Sequence, residues 1–376
     1  MVKTSCLLLA ALWLGALSLR AQTPALAPAP VKVLVYPGTE LLQVIHLLSD
    51  TAQVATSTYN AEVLRYFGAY RRHPAVRRAR QLRRISCDMP VRLSWAFYNF
   101  PDLKVATMQA RYLDGYETEF DLRQMQIYFQ ECARFYYDTR FWTFFQAHAP
   151  LYAGWVAGFE RGLYQDGQLA TVEQFYRLPR ERPVVITLGP LNCGSYAMSD
   201  LRGLNPNLPN QRTIMVAYGQ VAGGGALPGA APTFYAPART SQIVFHELGH
   251  AYLGPLFGRY RAQVQRLAPL FMRQDSALSR AARQRGGWSS YLEENVTQAV
   301  TNLLRARAGY LSRAEARQPD EFYRLAAELR LLIEQGYDGS PRYADFGRFF
   351  PVLLARLEQR HARRTTPVSR GSGRRR

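Results

Sequence analysis

Thr240-Ser241-Gln242-Ile243-Val244-Phe245-His246-Glu247-Leu248-Gly249-His250-Ala251-Tyr252-Leu253-Gly254-Pro255 is the stretch on which the reading turns. Thr240 or Ser241 can cap a helix start, and Gly254-Pro255 can stop it. Between them the spacing predicts a helix of roughly three turns. His246 and His250 lie four apart, so on that helix they project from one face, one above the other. Two imidazoles so placed can share one Zn²⁺ ion. Glu247, the next residue, lies to one side of the pair, where it reaches a water at the metal without being a ligand.

Two histidines are too few for a catalytic zinc, which usually has three protein ligands and an open position. No histidine lies between His250 and His361, which excludes the metzincin spacing. A glutamate from a second helix is the remaining common solution. The segment that fits is Trp288-Ser289-Ser290-Tyr291-Leu292-Glu293-Glu294-Asn295-Val296-Thr297-Gln298-Ala299-Val300-Thr301-Asn302-Leu303-Leu304, with Ser289 or Ser290 as its cap. Two adjacent glutamates compete. Amphipathicity mildly favours Glu293, which borders the stripe of Leu292, Val296, Ala299 and Leu303.

The two segments together resemble the gluzincin peptidases, in which an Asn-Glu pair opens the ligand helix and the glutamate binds zinc. Apolar residues follow in that pattern at two, five and six positions on. Counting from Glu294 gives Val296, Ala299 and Val300, so the resemblance implies Glu294 as third ligand. Gln298, one turn later, is then placed to hydrogen-bond a zinc-bound histidine. This chain has Glu293 where the pattern has Asn, and its gap from His250 to Glu294 is longer than in thermolysin-like members.

A resemblance to a bacterial family catalogued as domain of unknown function 4932 covers most of the chain after its first residues. It is carried by His73-Pro74-Ala75-Val76, by Phe135-Tyr136-Tyr137-Asp138-Thr139-Arg140-Phe141 leading to Phe144-Phe145, and by Leu191-Asn192-Cys193-Gly194-Ser195-Tyr196. The His246–His250 motif and Glu294 with Gln298-Ala299-Val300 complete it. That family often carries Arg where this chain has Gln298. The resemblance implies a peptidase without a defined substrate.

Outward from the motif, Val31 to Tyr36, Pro183 to Leu188 and Thr213 to Tyr218 read as strands rich in β-branched residues. Pro37-Gly38-Thr39-Glu40 turns into a helix with Leu41, Val44, Ile45 and Leu48 on one face. A helical pattern from Glu119 to His148 breaks near Asp138-Thr139. From Ser241 onward the chain is helical, ending with Asp345 to Gln359. The expected fold is α+β and mainly helical, with a small mixed sheet packed beside the motif helix and a second, ligand-bearing helix. The strand at Val216-Ala217-Tyr218 is expected beside the cleft as a sheet edge able to pair with extended substrate. Gly223-Gly224-Gly225 lacks the lysine and helix of a phosphate loop, so nucleotide binding is discounted.

The chain's ends read differently. Lys3, an apolar run from Cys6 to Leu19 and Ala21 make a secretory signal peptide over 1–21. A Pro/Ala linker follows over 22–30. One gluzincin-like domain is expected over 31–359, its helical half running to about 180 and its catalytic half over 181–359. A disordered basic tail, 360–376, carries seven arginines and no acid. The 376 residues carry a net charge of +19; Arg71-Arg72-His73, Arg77-Arg78-Ala79-Arg80 and Arg83-Arg84 form a second basic cluster. Both read as solvated surface, with the tail able to touch anionic surfaces, and no nucleic-acid partner is expected. Cys87, Cys132 and Cys193 show no metal spacing and read as small buried hydrophobes.

The expected function is an exported zinc metallopeptidase, periplasmic or extracellular, with no transmembrane segment after signal cleavage. It would hydrolyse a peptide or protein substrate by a zinc-activated water with Glu247 as general base. His246, His250 and Glu294 would hold the ion. Tyr218, Tyr252 and Tyr291 can in principle stabilise an oxyanion, without a reason to choose one. Two alternatives stand beside it: a non-proteolytic zinc-binding interaction protein, and a basic protein binding acidic cell-surface polymers.

Overall fold

The computed structural model describes residues 29–50, 57–82, 89–109, 121–192, 194–198, 201–218, 233–272, 276–284, 286–318 and 320–365. The expected signal segment, most of the linker, the Gly223–Gly225 loop, Cys87, Cys193 and the end of the basic tail lie outside these residues.

Strand β1 (Val31–Leu34) leads into helix α1 (Pro37–Ser49), then α2 (Thr58–Phe67), α3 (Pro74–Leu82) and a single turn, α4 (Met89–Arg92). Two short antiparallel strands follow, β2 (Phe97–Tyr98) and β3 (Lys104–Val105). Helices α5 (Leu122–Asp138), α6 (Phe141–Ala147), α7 (Ala149–Glu160) and α8 (Gln168–Tyr176) complete the first half. The second half has β4 (Val184–Gly189), β5 (Tyr196–Met198), the turn α9 (Leu201–Leu204) and β6 (Arg212–Ala217). It ends in helices α10 (Pro237–Arg259), α11 (Arg261–Met272), α12 (Ser276–Gln284), α13 (Trp288–Arg307), α14 (Ala326–Gly336) and α15 (Phe346–Thr365). The fold is α+β and mainly helical, with a small mixed sheet.

The four-stranded sheet runs β1-β4-β6-β5, parallel except for β5. Every residue of β4 is buried, as in a strand covered on both faces. Helix α1 packs on β4, and α10 packs on β5 and β6. The register narrows one expectation. Strand β6 pairs with β4 along its length and with β5 only over Thr213–Met215, so it is interior there, and the expected edge at Val216-Ala217-Tyr218 lies past the β5 ladder. The edge beside the motif helix is β5, whose three residues are too few for alternation to mark them.

The expected break after Asp138 is present: Thr139 bonds back to the Phe135 carbonyl and Arg140 takes the left-handed conformation, φ 52°. Three boundaries differ from expectation. Helix α10 starts at Pro237, with Ala236 as N-cap, and passes through Pro255 to Arg259. Buried Leu256 and Phe257 hold this last turn, Phe257 against Phe350 of α15, and packing outweighs the local break signal. Helix α13 starts one residue before Ser289, with Gly287 as N-cap; the Trp288 indole donates to the Val264 carbonyl, 2.8 Å. Helix α15 runs six residues past Gln359, tied at Arg360 and His361 to Glu328. Among the described residues no helix is long and apolar enough to cross a membrane.

Three of the quoted family segments have separate work. His73 bonds Asp138 at 3.3 Å and its ring packs on Phe135, so two of them pin α3 to α5. In the third, Ser195 accepts from the Ala217 amide, 2.9 Å, and holds the end of β6. Cys132 is buried and free, as its reading as a small hydrophobe requires. In the basic cluster around Arg77–Arg80, Arg78 pairs with Glu131, 2.9 Å, and Arg80 donates to the Ser49 carbonyl.

Candidate metal centre

The site forms where α10 and α13 cross at close range. Gly249 permits the approach. A Cβ there would stand 3.1 Å from Thr297 of α13 and 3.1 Å from the Tyr176 hydroxyl, tighter than ordinary contact. The glycine between the two histidines thus sets how near the second helix comes.

Across this contact, His246 Nε2 lies 3.3 Å from Glu294 Oε2 and His250 Nε2 lies 3.5 Å from Glu294 Oε1. One ligand atom from each of His246, His250 and Glu294 falls within 4.8 Å of the others. Zinc–ligand bonds of about 2.1 Å in a tetrahedron put neighbouring ligand atoms about 3.4 Å apart. The two His–Glu294 separations match that spacing, each to its own carboxylate oxygen, so the three residues fit a metal ion held between them.

The other ring nitrogens are held from α13 as well. His246 Nδ1 lies 3.1 Å from Gln298 Oε1, and His250 Nδ1 lies 2.9 Å from Glu293 Oε1. With each Nδ1–H donating to an oxygen, the Nε2 lone pairs are left for an ion held between the two rings and Glu294. The competition between adjacent glutamates resolves in space. Glu294 faces both Nε2 atoms and Glu293 orients His250. Gln298 orients His246, as the gluzincin resemblance implied. Its amide is fixed in turn, accepting from Gln242 at 3.2 Å and donating to Asn302 at 2.9 Å. Arg305 extends the chain by donating to Gln242, Ser241 and the Ala238 carbonyl.

Electrostatics follow the crowding of carboxylates. Burial pulls the His250 pKa down, but its bond to Glu293 and the charges of Glu247, Glu294 and Glu293 outweigh that, for a net rise. A cation is favoured at this position, and a metal ion would have to displace the proton.

Two cavities open on the site. One, about 560 Å³, is lined by His246, Glu247, Gln242, Arg239, Arg305 and Tyr323. The other, about 580 Å³, is lined by His246, Glu247, His250, Glu294 and residues of three further elements. Half-buried Glu247 faces both, beside the pair and outside the His246–His250–Glu294 group.

The tyrosines weighed from sequence lie elsewhere. Tyr252 bonds Arg180 and stacks on Tyr176, Tyr291 is fully buried, and Tyr218 is buried against Phe234. Tyr323 lines both cavities instead, its ring 5.9 Å from that of His246. Its loop is fixed by Asp320, which accepts from the Tyr323 amide, and by Asn295 of α13, which accepts from the Leu325 amide at 2.8 Å. Ser195, Arg92 and Arg212 also reach the second cavity. They come from a loop, a helix end and a strand end with no local signal. One clue in sequence was the Leu191–Tyr196 segment, which delivers Ser195.

Comparison of the chain with family models, with curated proteins and with solved structures returns no match.

Proposed function

We propose that this chain is a zinc-dependent peptidase. The observation that carries the reading is the convergence of one ligand atom each from His246, His250 and Glu294 within 4.8 Å, with Glu247 opening onto the same cavities. Two neutral imidazoles and one carboxylate suit Zn²⁺. When bound, the ion supplies a Lewis acid that polarises a carbonyl and acidifies water.

The chain's own residues supply the rest. Gln298 and Glu293 hold both imidazoles in the tautomer that presents Nε2. Glu247 accepts a proton from the attacking water and returns it to the leaving amine as the C–N bond breaks, leaving a carboxylate and an amine. Tyr323, beside His246, can donate to the oxyanion. An extended peptide can pair with the edge strand β5, whose Tyr196 and Ala197 line the cleft; this favours a peptide over a small ester.

Kinship with the gluzincins and with the family of unknown function belongs to the same proposal. So does export, whose segment 1–21 lies outside the described residues; N-terminal sequencing of the secreted protein would read its cleavage. The main test is metal analysis with a quenched-peptide assay. We expect one zinc per chain, activity lost to chelator and restored by zinc. Cleavage that persists after the metal has been removed would sink the reading.

A further inference from the structure

Arg212 is a cation of the cleft that the proposed hydrolysis does not use. It opens β6, is half-buried, and lines both the 580 Å³ cavity and a neighbouring one of about 370 Å³. Its Nη2 passes over Gly254 of α10, 3.4 Å from where a Cβ would stand. The carboxylates whose charge it feels, Glu293 and Glu247, form no ion pair with it; Glu293 is turned to His250. Burial pulls its pKa below the usual arginine value, against the opposing pull of those two carboxylates. A guanidinium partly withdrawn from water, with no ion-pair partner among the described residues, carries a desolvation cost, and a bound anion would offset it.

Arg92 brings a second guanidinium to the same cavity from the end of α4. It stacks on the Tyr196 ring at 4.2 Å, which holds it against the edge strand β5. Arg305, in the cavity on the other side of His246, differs: its donors are spent on Gln242, Ser241 and the Ala238 carbonyl.

We propose that Arg212, assisted by Arg92, forms a carboxylate-binding subsite beside the metal position, so that the preferred substrates are peptides carrying a carboxylate near the bond to be cleaved. The subsite rests on the peptidase reading. A planar, forked guanidinium matches a carboxylate in two parallel hydrogen bonds. Glu247, Glu293 and Glu294 share the cavity, but Glu293 and Glu294 are turned to the imidazoles they face and away from Arg212. The carboxylate can come from an acidic side chain or from a free C-terminus.

The test reads binding by fluorescence anisotropy on zinc-loaded Glu247→Gln protein, with three labelled pentapeptides. One is neutral and amidated, one is amidated with an internal glutamate, and one is neutral with a free C-terminal carboxylate. At least one carboxylate peptide should bind about tenfold tighter than the neutral amide, equivalent to about 1.4 kcal/mol. The arm that wins identifies the source. Arg212→Gln in the same background should bring the ratio close to one, and Arg92→Gln should lower it less. If Arg212→Gln misfolds by circular dichroism, Arg212→Lys, which keeps the charge but loses the fork, should lower the ratio. Equal binding of all three peptides overturns the proposal, as does an unchanged ratio in the folded Arg212 variant. Because no turnover is read, a wild type that cleaves nothing counts against hydrolysis and leaves this result standing.

Discussion

Among the described residues, two clusters of inward-facing polar side chains are built to different ends. In the first half, Glu40 of α1 is fully buried among aromatic residues. The Tyr59 hydroxyl donates to Glu40 Oε1 at 2.5 Å and meets the Tyr152 hydroxyl at 2.7 Å. Tyr59 packs edge-on against Trp155, and Phe67 against Phe144, in one aromatic layer. In the second half, Glu293, Glu294 and Gln298 surround His246 and His250, and the cluster opens onto two cavities. Glu40 has one bonded oxygen and one without a hydrogen-bond partner. The carboxylates of α13 have imidazoles on the partner helix to face. A buried acid alone is a structural cost. Half-buried acids arranged around imidazoles, with an open side, are a place for an ion.

Truncations should separate the two regions. Phe67→Ala removes a fully buried ring and should cost about 3–5 kcal/mol in denaturant unfolding, with zinc stoichiometry unchanged. A variant that instead lost the metal while staying folded would break the division. Glu40 sharpens it through pH. Burial raises its pKa to about 7, against the opposing bond from Tyr59. The folded chain therefore keeps a proton that the unfolded chain has released. Stability should fall by about 3 kcal/mol as pH rises from the ordinary carboxyl range through 7, then level off. Glu40→Gln should flatten that part of the profile; an unaltered slope would contradict the assignment.

On the other side of the comparison the effects should appear in metal affinity. Glu293→Gln and Gln298→Ala each release one imidazole Nδ1 and should weaken zinc binding about 10- to 100-fold, measured by competition with a chelator of known affinity. Equal affinity in both would make these bonds incidental. The smallest effect should come from Gly249→Ala. Its Cβ would press on Thr297 and Tyr176 and part the helices, at about 1–3 kcal/mol of stability. Ala at Gly258, where nothing lies within 4 Å, is the control that should not destabilise.

Much of this was legible because helices carry their own ruler. The four-residue step from His246 to His250 places both rings on one face whatever surrounds them, and the break at Asp138-Thr139 stood in the pattern. The choice between Glu293 and Glu294 was not local. Both sit on the same turn, and what parts them is the direction from which α10 arrives. The helix ends misled for a related reason: Pro255 and Ser289 are signals that the packing of Phe257 and Trp288 overrides. Tyr196–Met198, the strand that covers Thr213–Met215 of β6, is too short for alternation to mark it. Arg92, Arg212 and Tyr323 reach the cleft from distant parts of the chain, and no periodicity joins them.

The central claim is that Glu247 is the base of a metal-dependent hydrolysis at the crossing of α10 and α13. The direct test compares wild type with Glu247→Gln on a panel of quenched peptides after metal analysis of both. Both proteins should hold one zinc, because Glu247 lies outside the ligand set, while the variant should lose about 10²- to 10⁴-fold in kcat. Equal cleavage by the two would contradict the role given to Glu247, and absence of zinc from both would contradict the site itself.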